Sequence, residues 1–207
     1  MRPSKLIFNK EISKFLDINK YKSVLDVASA DFKNINLFKS DNYTGIDIDP
    51  DLVSEGLRKY PDAKGISGDI MDIQNLVRQN KYDLCISTHT LSYLTEENIL
   101  NAVNHLISVN ANEGSIIINL QSNQHLSNKI LDLFKENYQN FYHVRYQNLY
   151  TRYIEKLFEN SLGVFNPGKI GRLIIKISLA YYLESITSKY NFTGNSYLFF
   201  GMGLNRT

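Results

Sequence analysis

Along the first 120 residues, the apolar positions gather into five short runs of branched side chains: 23–27 (SVLDV), 42–48 (NYTGIDI), 63–67 (AKGIS), 82–87 (YDLCIS) and 115–120 (SIIINL). Each run is entered from a polar turn and left into a helix-like pattern. Continuous rather than alternating apolarity means burial on both faces, which is the property of parallel strands covered by helices. The intervening stretches 50–59, 72–79 and 95–108 carry helical spacing. Thr95 caps the last of these, with Glu96 and Glu97 at its positive end, and Asp49 before Pro50 reads as a capping pair for the first. The pattern predicts a βαβαβ series with short connections.

Downstream, a helix is expected over 126–138, followed by strands over 141–146 and 196–203 that would form one edge of the same sheet. Between these strands lie about 45 residues with two helical patterns, 151–160 and 169–189, the second opened by Asn166-Pro167-Gly168. An insertion that long between neighbouring strands is usually functional, so residues 148–190 are expected as a helical insertion serving as a lid. The segment ahead of residue 23 is too short for a large N-terminal cap. The whole chain, 1–207, reads as a single domain.

Composition narrows this picture. With 207 residues, 43% hydrophobic and 21% charged, the chain can bury a sizeable core and is not disordered. One cysteine, Cys85, excludes a disulfide framework and fits a cytoplasmic setting; lying inside an apolar strand, it reads as inert packing. No Cys/His spacing suits a metal, and His105, His125 and His143 add none. No apolar run is long enough to span a membrane. A net charge of +2 is too small to argue for nucleic acid, so no nucleic-acid partner is expected, yet the charge is uneven, net −3 over residues 1–120 and net +5 over 121–207. That imbalance points to an anionic small-molecule acceptor. Lys169, Arg172 and Lys176 lie along one side of the 169–189 pattern and Leu173, Ile174, Ile177 and Tyr181 near the other. Such a helix packs over the sheet edge or grips an anionic or lipid-linked acceptor, and its apolar side leaves a homo-oligomer open.

In an open α/β sheet, ligands bind outside the carboxyl ends of the strands, where strand order reverses. The candidate residues are therefore those that close each strand: Asp26 to Phe32, Asp47-Ile48-Asp49, Gly68-Asp69-Ile70 and Ser87-Thr88-His89-Thr90. Asp47 lies 21 residues beyond Asp26, the separation at which a carboxylate can accept both hydroxyls of a ribose held over the first loop. His89 could orient or deprotonate an acceptor hydroxyl, or serve the loop structurally. Tyr93 stands near the same mouth.

The segments VLDVASADF, YTGIDIDPDLV, GISGDIMDI, YDLCISTHTLSYL and EGSIIINL resemble, in order and spacing over residues 22–120, the class I S-adenosylmethionine-dependent methyltransferases. The resemblance implies a Rossmann-like, doubly wound, mostly parallel seven-stranded sheet with a helical insertion before the last strand. It implies methyl transfer from S-adenosyl-L-methionine to a small-molecule acceptor. By the same resemblance Asp47 would bind the ribose, Ile48 would pack on the adenine, and Asp69 with the Ile70 backbone would read the adenine amino edge. Ala28, Ser29 and Ala30 would face the methionine part, with Asp26 and Ser87 completing the cofactor set. Thr88 and Tyr93 would face the acceptor and His89 would be the catalytic candidate.

The chain departs from the family at the glycine loop, where Asp/Glu-x-Gly-x-Gly-x-Gly reads Asp26-Val27-Ala28-Ser29-Ala30-Asp31-Phe32. An alanine held at positive φ costs on the order of 1 kcal/mol. The expectation is therefore a loop that has changed its path, with Phe32 in the substrate pocket or the core. The missing glycines disfavour a NAD-dependent oxidoreductase more than a methyl-donor site, because a pyrophosphate needs glycine backbone donors. The alternative reading is a non-catalytic relative that keeps the fold as a binding or assembly module.

Overall fold

The computed structural model describes residues 3–18, 21–38, 40, 42–78, 80–121, 123–147 and 196–205. The expected insertion over 148–190 lies outside the described residues. The five apolar runs form β1 (Ser23–Val27), β2 (Asn42–Asp47), β3 (Lys64–Ser67), β4 (Tyr82–Ser87) and β5 (Asn110–Gln121). With β6 (Tyr138–Gln147) and β7 (Ser196–Leu204) they make one seven-stranded sheet in the order β3-β2-β1-β4-β5-β7-β6. The first five pair in parallel, while β7 runs antiparallel to both β5 and β6. Strand order reverses between β1 and β4, and this sets the ligand crevice at their carboxyl ends.

Helices cover both faces. On one lie α1 (Pro3–Ile18) and α2 (Pro50–Lys59), burying Phe8, Ile12, Phe15 and Val53 against Val24, Leu84, Ile86, Ile117 and Phe200. On the other lie α3 (Ile73–Leu76), α4 (Glu96–Val109) and α5 (Gln124–Asn137), packed on Leu25, Cys85, Ile116, Ile118 and Phe199. Branched residues along the central strands thus meet helices above and below, as their continuous apolarity requires. Three caps fix where helices begin. Asp49 accepts from the Asp51 and Leu52 amides with Pro50 at the first helical position, Thr95 accepts from Asn98, and Asn123 accepts from Leu126.

Two sequence boundaries differ most in the structure. The stretch expected as a helix over 72–79 is a 3₁₀ turn, Ile70–Asp72, followed by only the four residues of α3 before Arg78 turns the chain with φ 53°. β5 begins at Asn110 rather than 115, because Asn110 pairs with Tyr82 and its side-chain amide donates to the Ser115 carbonyl at 2.6 Å across an irregularity. Ahead of β1 the chain forms α1 with 16 residues, an element not among those expected from the sequence. No described helix is long and apolar enough to cross a membrane.

Candidate active site

The loop from Ala28 to Phe32 leaves β1 at the reversal point, and its backbone corrects the expected change of path. Ala28, Ala30 and Phe32 have φ of 63°, 50° and 61°, the left-handed region at each of the three positions where the family pattern has glycine. The glycines are gone, yet the backbone at all three positions takes the conformation that favours glycine. For L residues this costs on the order of 1 kcal/mol per site, and such strain persists only where neighbouring structure enforces it. The enforcing contacts are visible. Ser29 donates its amide to the Ile46 carbonyl at 3.0 Å, with its hydroxyl on the same oxygen at 3.2 Å, and Ala30 donates its amide to Asp47 Oδ2 at 2.7 Å. Phe32 closes a turn by donating to the Ser29 carbonyl at 3.0 Å, and its ring is fully buried. Of the two places expected for it, Phe32 occupies the core.

Asp47 ends β2 and is 9% exposed. Besides Ala30, it accepts the Asp49 amide on Oδ1 at 3.1 Å, so each carboxylate oxygen is oriented by one backbone donor. A carboxylate has about four lone-pair sites, which leaves one further acceptor on each oxygen, the requirement for two adjacent hydroxyls. Ile48 beside it is 70% exposed, an apolar surface standing at the rim. Asp69 follows β3 exposed, with Oδ1 accepting the Met71 amide at 2.9 Å, while the Ile70 side chain is buried.

Asp26 lies beneath the loop, fully buried. Tyr43 Oη donates to its Oδ2 at 2.8 Å and Asn34 Nδ2 approaches the same oxygen at 3.4 Å. Burial raises its pKa to about 7, against the two hydrogen bonds, and the nearby Asp47 charge adds to the rise. Tyr43 is pushed up by burial and by the Asp26 charge. Asn34 also reaches Thr88 Oγ1 at 3.4 Å, tying the end of β1 to the end of β4.

Across the crevice, Ser87 ends β4 fully buried and Thr88 follows it, 7% exposed. His89 is exposed with φ 65°, its amide donating to Asn119 Oδ1 at 3.1 Å and its ring 4.9 Å from that of Phe8. Tyr93, in the 3₁₀ turn Leu91–Tyr93, is 88% exposed. Four of the six described non-glycine residues with positive φ, namely Ala28, Ala30, Phe32 and His89, lie in the segments that follow β1 and β4, the two strands between which the order reverses.

No protein-family model matches the chain, and no curated protein matches it in sequence. Among solved structures it is similar to the N-methyltransferase NodS from Bradyrhizobium japonicum WM9 in complex with S-adenosyl-L-homocysteine, with a TM-score of 0.60 and 13% identity over 71% of this chain and 81% of that one. The plantazolicin methyltransferase BamL, in complex with a triazolic desmethylPZN analog and S-adenosylhomocysteine, gives 0.58 at 15% identity over 97% of this chain and 83% of that one. Magnesium protoporphyrin IX methyltransferase (ChlM) from Synechocystis PCC 6803 with bound S-adenosylmethionine gives 0.52 at 18% identity over 68% of this chain and 72% of that one. The fold is that of the class I S-adenosylmethionine-dependent methyltransferases.

Within this methyltransferase fold, the sequence candidates separate by depth. Ile48, Asp69, His89 and Tyr93 stand at the surface, Ala28 and Ala30 are half-buried, and Asp47 lies just beneath. Asp26, Ser29 and Ser87 are buried at the ends of β1 and β4, where Asp26 Oδ1 and Ser87 Oγ have no hydrogen-bond partner. Unpaired buried polar atoms at the ends of two adjacent strands suit a polar ligand better than a packed core. With the two spare acceptor positions on Asp47, they fit S-adenosyl-L-methionine as the group this fold implies. Tyr43, Asn34, Asn119 and Phe8 are contributors that sequence reasoning missed. Tyr43 left a weak signal, a phenol inside an apolar strand, whereas Asn34 and Asn119 left none.

Proposed function

We propose that the protein is an S-adenosyl-L-methionine-dependent methyltransferase acting on a small-molecule acceptor. The observation that carries this reading is the loop at 28–32, which holds left-handed φ at all three family glycine positions without a glycine. Strained backbone of that kind clusters at active sites and ligand clamps, where the surrounding structure over-determines it. In this reading Asp47 takes the two ribose hydroxyls on its spare acceptor positions, Ile48 covers one face of the adenine, and Asp69 with the Ile70 backbone reads the adenine edge. Ala28, Ser29 and Ala30 shape the place of the methionine part, and Asp26 and Ser87 support it from below. When bound, the cofactor supplies an electrophilic methyl group on a sulfonium.

The chain's own task is then alignment. Thr88, His89 and Tyr93 present the acceptor, and the left-handed backbone at His89 fixes where its imidazole projects. An acceptor hydroxyl would give its proton to that imidazole, whereas a neutral amine would need only placement. An anionic acceptor accords with the net +5 over residues 121–207.

Calorimetry with S-adenosylhomocysteine tests the reading. The parent should bind, and Asp47→Ala should lose about 2–3 kcal/mol of affinity through two charge-assisted hydrogen bonds. Absence of binding by the parent at millimolar ligand would overturn the proposal in favour of a non-catalytic module.

A further inference from the structure

Phe32 stands at the third glycine position of the family pattern, and a phenylalanine there with φ 61° needs an explanation of its own. The space its ring occupies comes from two other glycines. A Cβ on Gly45 of β2 would lie 2.6 Å from Phe32 Cδ1, and one on Gly56 of α2 would lie 2.7 Å from Cγ and Cδ2. Neither distance is possible between real atoms, so the ring fills the volume that side chains at 45 and 56 would take. Tyr43, whose hydroxyl donates to Asp26, flanks it at a ring distance of 5.5 Å. Gly56 is buried in the interior of a helix, where alanine is ordinarily preferred by about 1 kcal/mol, so its presence has a steric cause.

We propose that Phe32 is a positioning residue for the cofactor loop: its ring, locked in the slot between Gly45 and Gly56, holds residues 28–32 in the ligand-binding shape before any ligand arrives. This rests on the methyl-donor reading of the crevice. The ring anchors one end of the loop, its carbonyl accepts from Ile35 at 3.1 Å to start the next turn, and its amide closes the turn onto Ser29. Displacing the ring therefore moves the backbone of Ala30 and its bond to Asp47. In an ordinary loop, glycine permits the left-handed shape; here a buried ring imposes it, and the ordering cost is met during folding rather than on binding.

The decisive variant is Gly56→Ala, which lies on α2 and touches no ligand. S-adenosylhomocysteine binding is measured by calorimetry at a temperature where circular dichroism shows parent and variant fully folded, together with amide hydrogen exchange of residues 28–32. The proposal expects binding about tenfold weaker, a less favourable binding entropy and faster exchange confined to the loop. A second variant, Phe32→Leu, keeps an apolar side chain but vacates the slot and should give the same signature. Combining it with Gly56→Ala should restore part of the lost affinity, because the smaller side chain leaves room for the new methyl. Unchanged affinity in Gly56→Ala, or in a folded Phe32→Leu should Gly56→Ala not fold, overturns the positioning role. Failure of the parent to bind overturns the methyl-donor reading instead.

Discussion

A carboxyl group buried without a counter-charge is easier to keep protonated than to ionise, and Asp26 is in that position. Its pKa stands at about 7, against 3.8 for an ordinary aspartate. Between those values the folded state holds a proton that the unfolded state has lost, so this group's contribution to stability falls as pH rises from about 4 to about 7. The difference in unfolding free energy between parent and Asp26→Asn should change by about 3 kcal/mol across that window, read by urea unfolding at several pH values. A difference independent of pH would mean that Asp26 is not buried as described. Two residues along, the left-handed alanines make a separate prediction. Replacing Ala28 and Ala30 by glycine relieves strain of about 1–2 kcal/mol per site at an entropic cost of about 0.5–1 kcal/mol per site, about 1–2 kcal/mol net for the pair and a rise in Tm of about 2–8 °C. A lower Tm would show that these residues do not hold positive φ in solution.

At the scale of elements, what could be read from the chain was what local pattern encodes. The runs at 23–27 and 82–87 and the helix at 50–59 have the same limits in the structure, because continuous apolarity or an Asp-Pro cap marks their ends unambiguously. β5 begins earlier than its apolar run since pairing with Tyr82, a residue 28 positions away, recruits Asn110. α1 escaped notice although Phe8, Ile12 and Phe15, spaced by four and three, form the stripe of a docked helix. The stripe also makes the docking testable. Ile12 is fully exposed to packing on the sheet face and fully shielded from solvent, so Ile12→Ala should cost about 2–4 kcal/mol in chemical denaturation. A loss well under 1 kcal/mol would mean that α1 does not seal that face.

For the molecule as a whole, strand-end positions were legible because topology alone places them at one crevice. The support beneath was not: Tyr43 on Asp26, Asn34 between Asp26 and Thr88, and two glycines around Phe32 depend on neighbours brought together only by folding. The loop's left-handed shape was hidden for the same reason: local propensity counts only its cost, while Asp47, Gly45 and Gly56, which hold the loop and seat the Phe32 ring, lie on other elements. The proposed function makes the crevice at the carboxyl ends of β1 and β4, beside Asp47, a nucleoside-sulfur ligand site. A crystal structure grown with saturating S-adenosylhomocysteine tests this most directly. It should show the nucleoside between Ile48 and the loop, both ribose hydroxyls on Asp47, and φ still positive at Ala28, Ala30 and Phe32; a crevice holding no nucleoside, or one bound elsewhere on the protein, would contradict it.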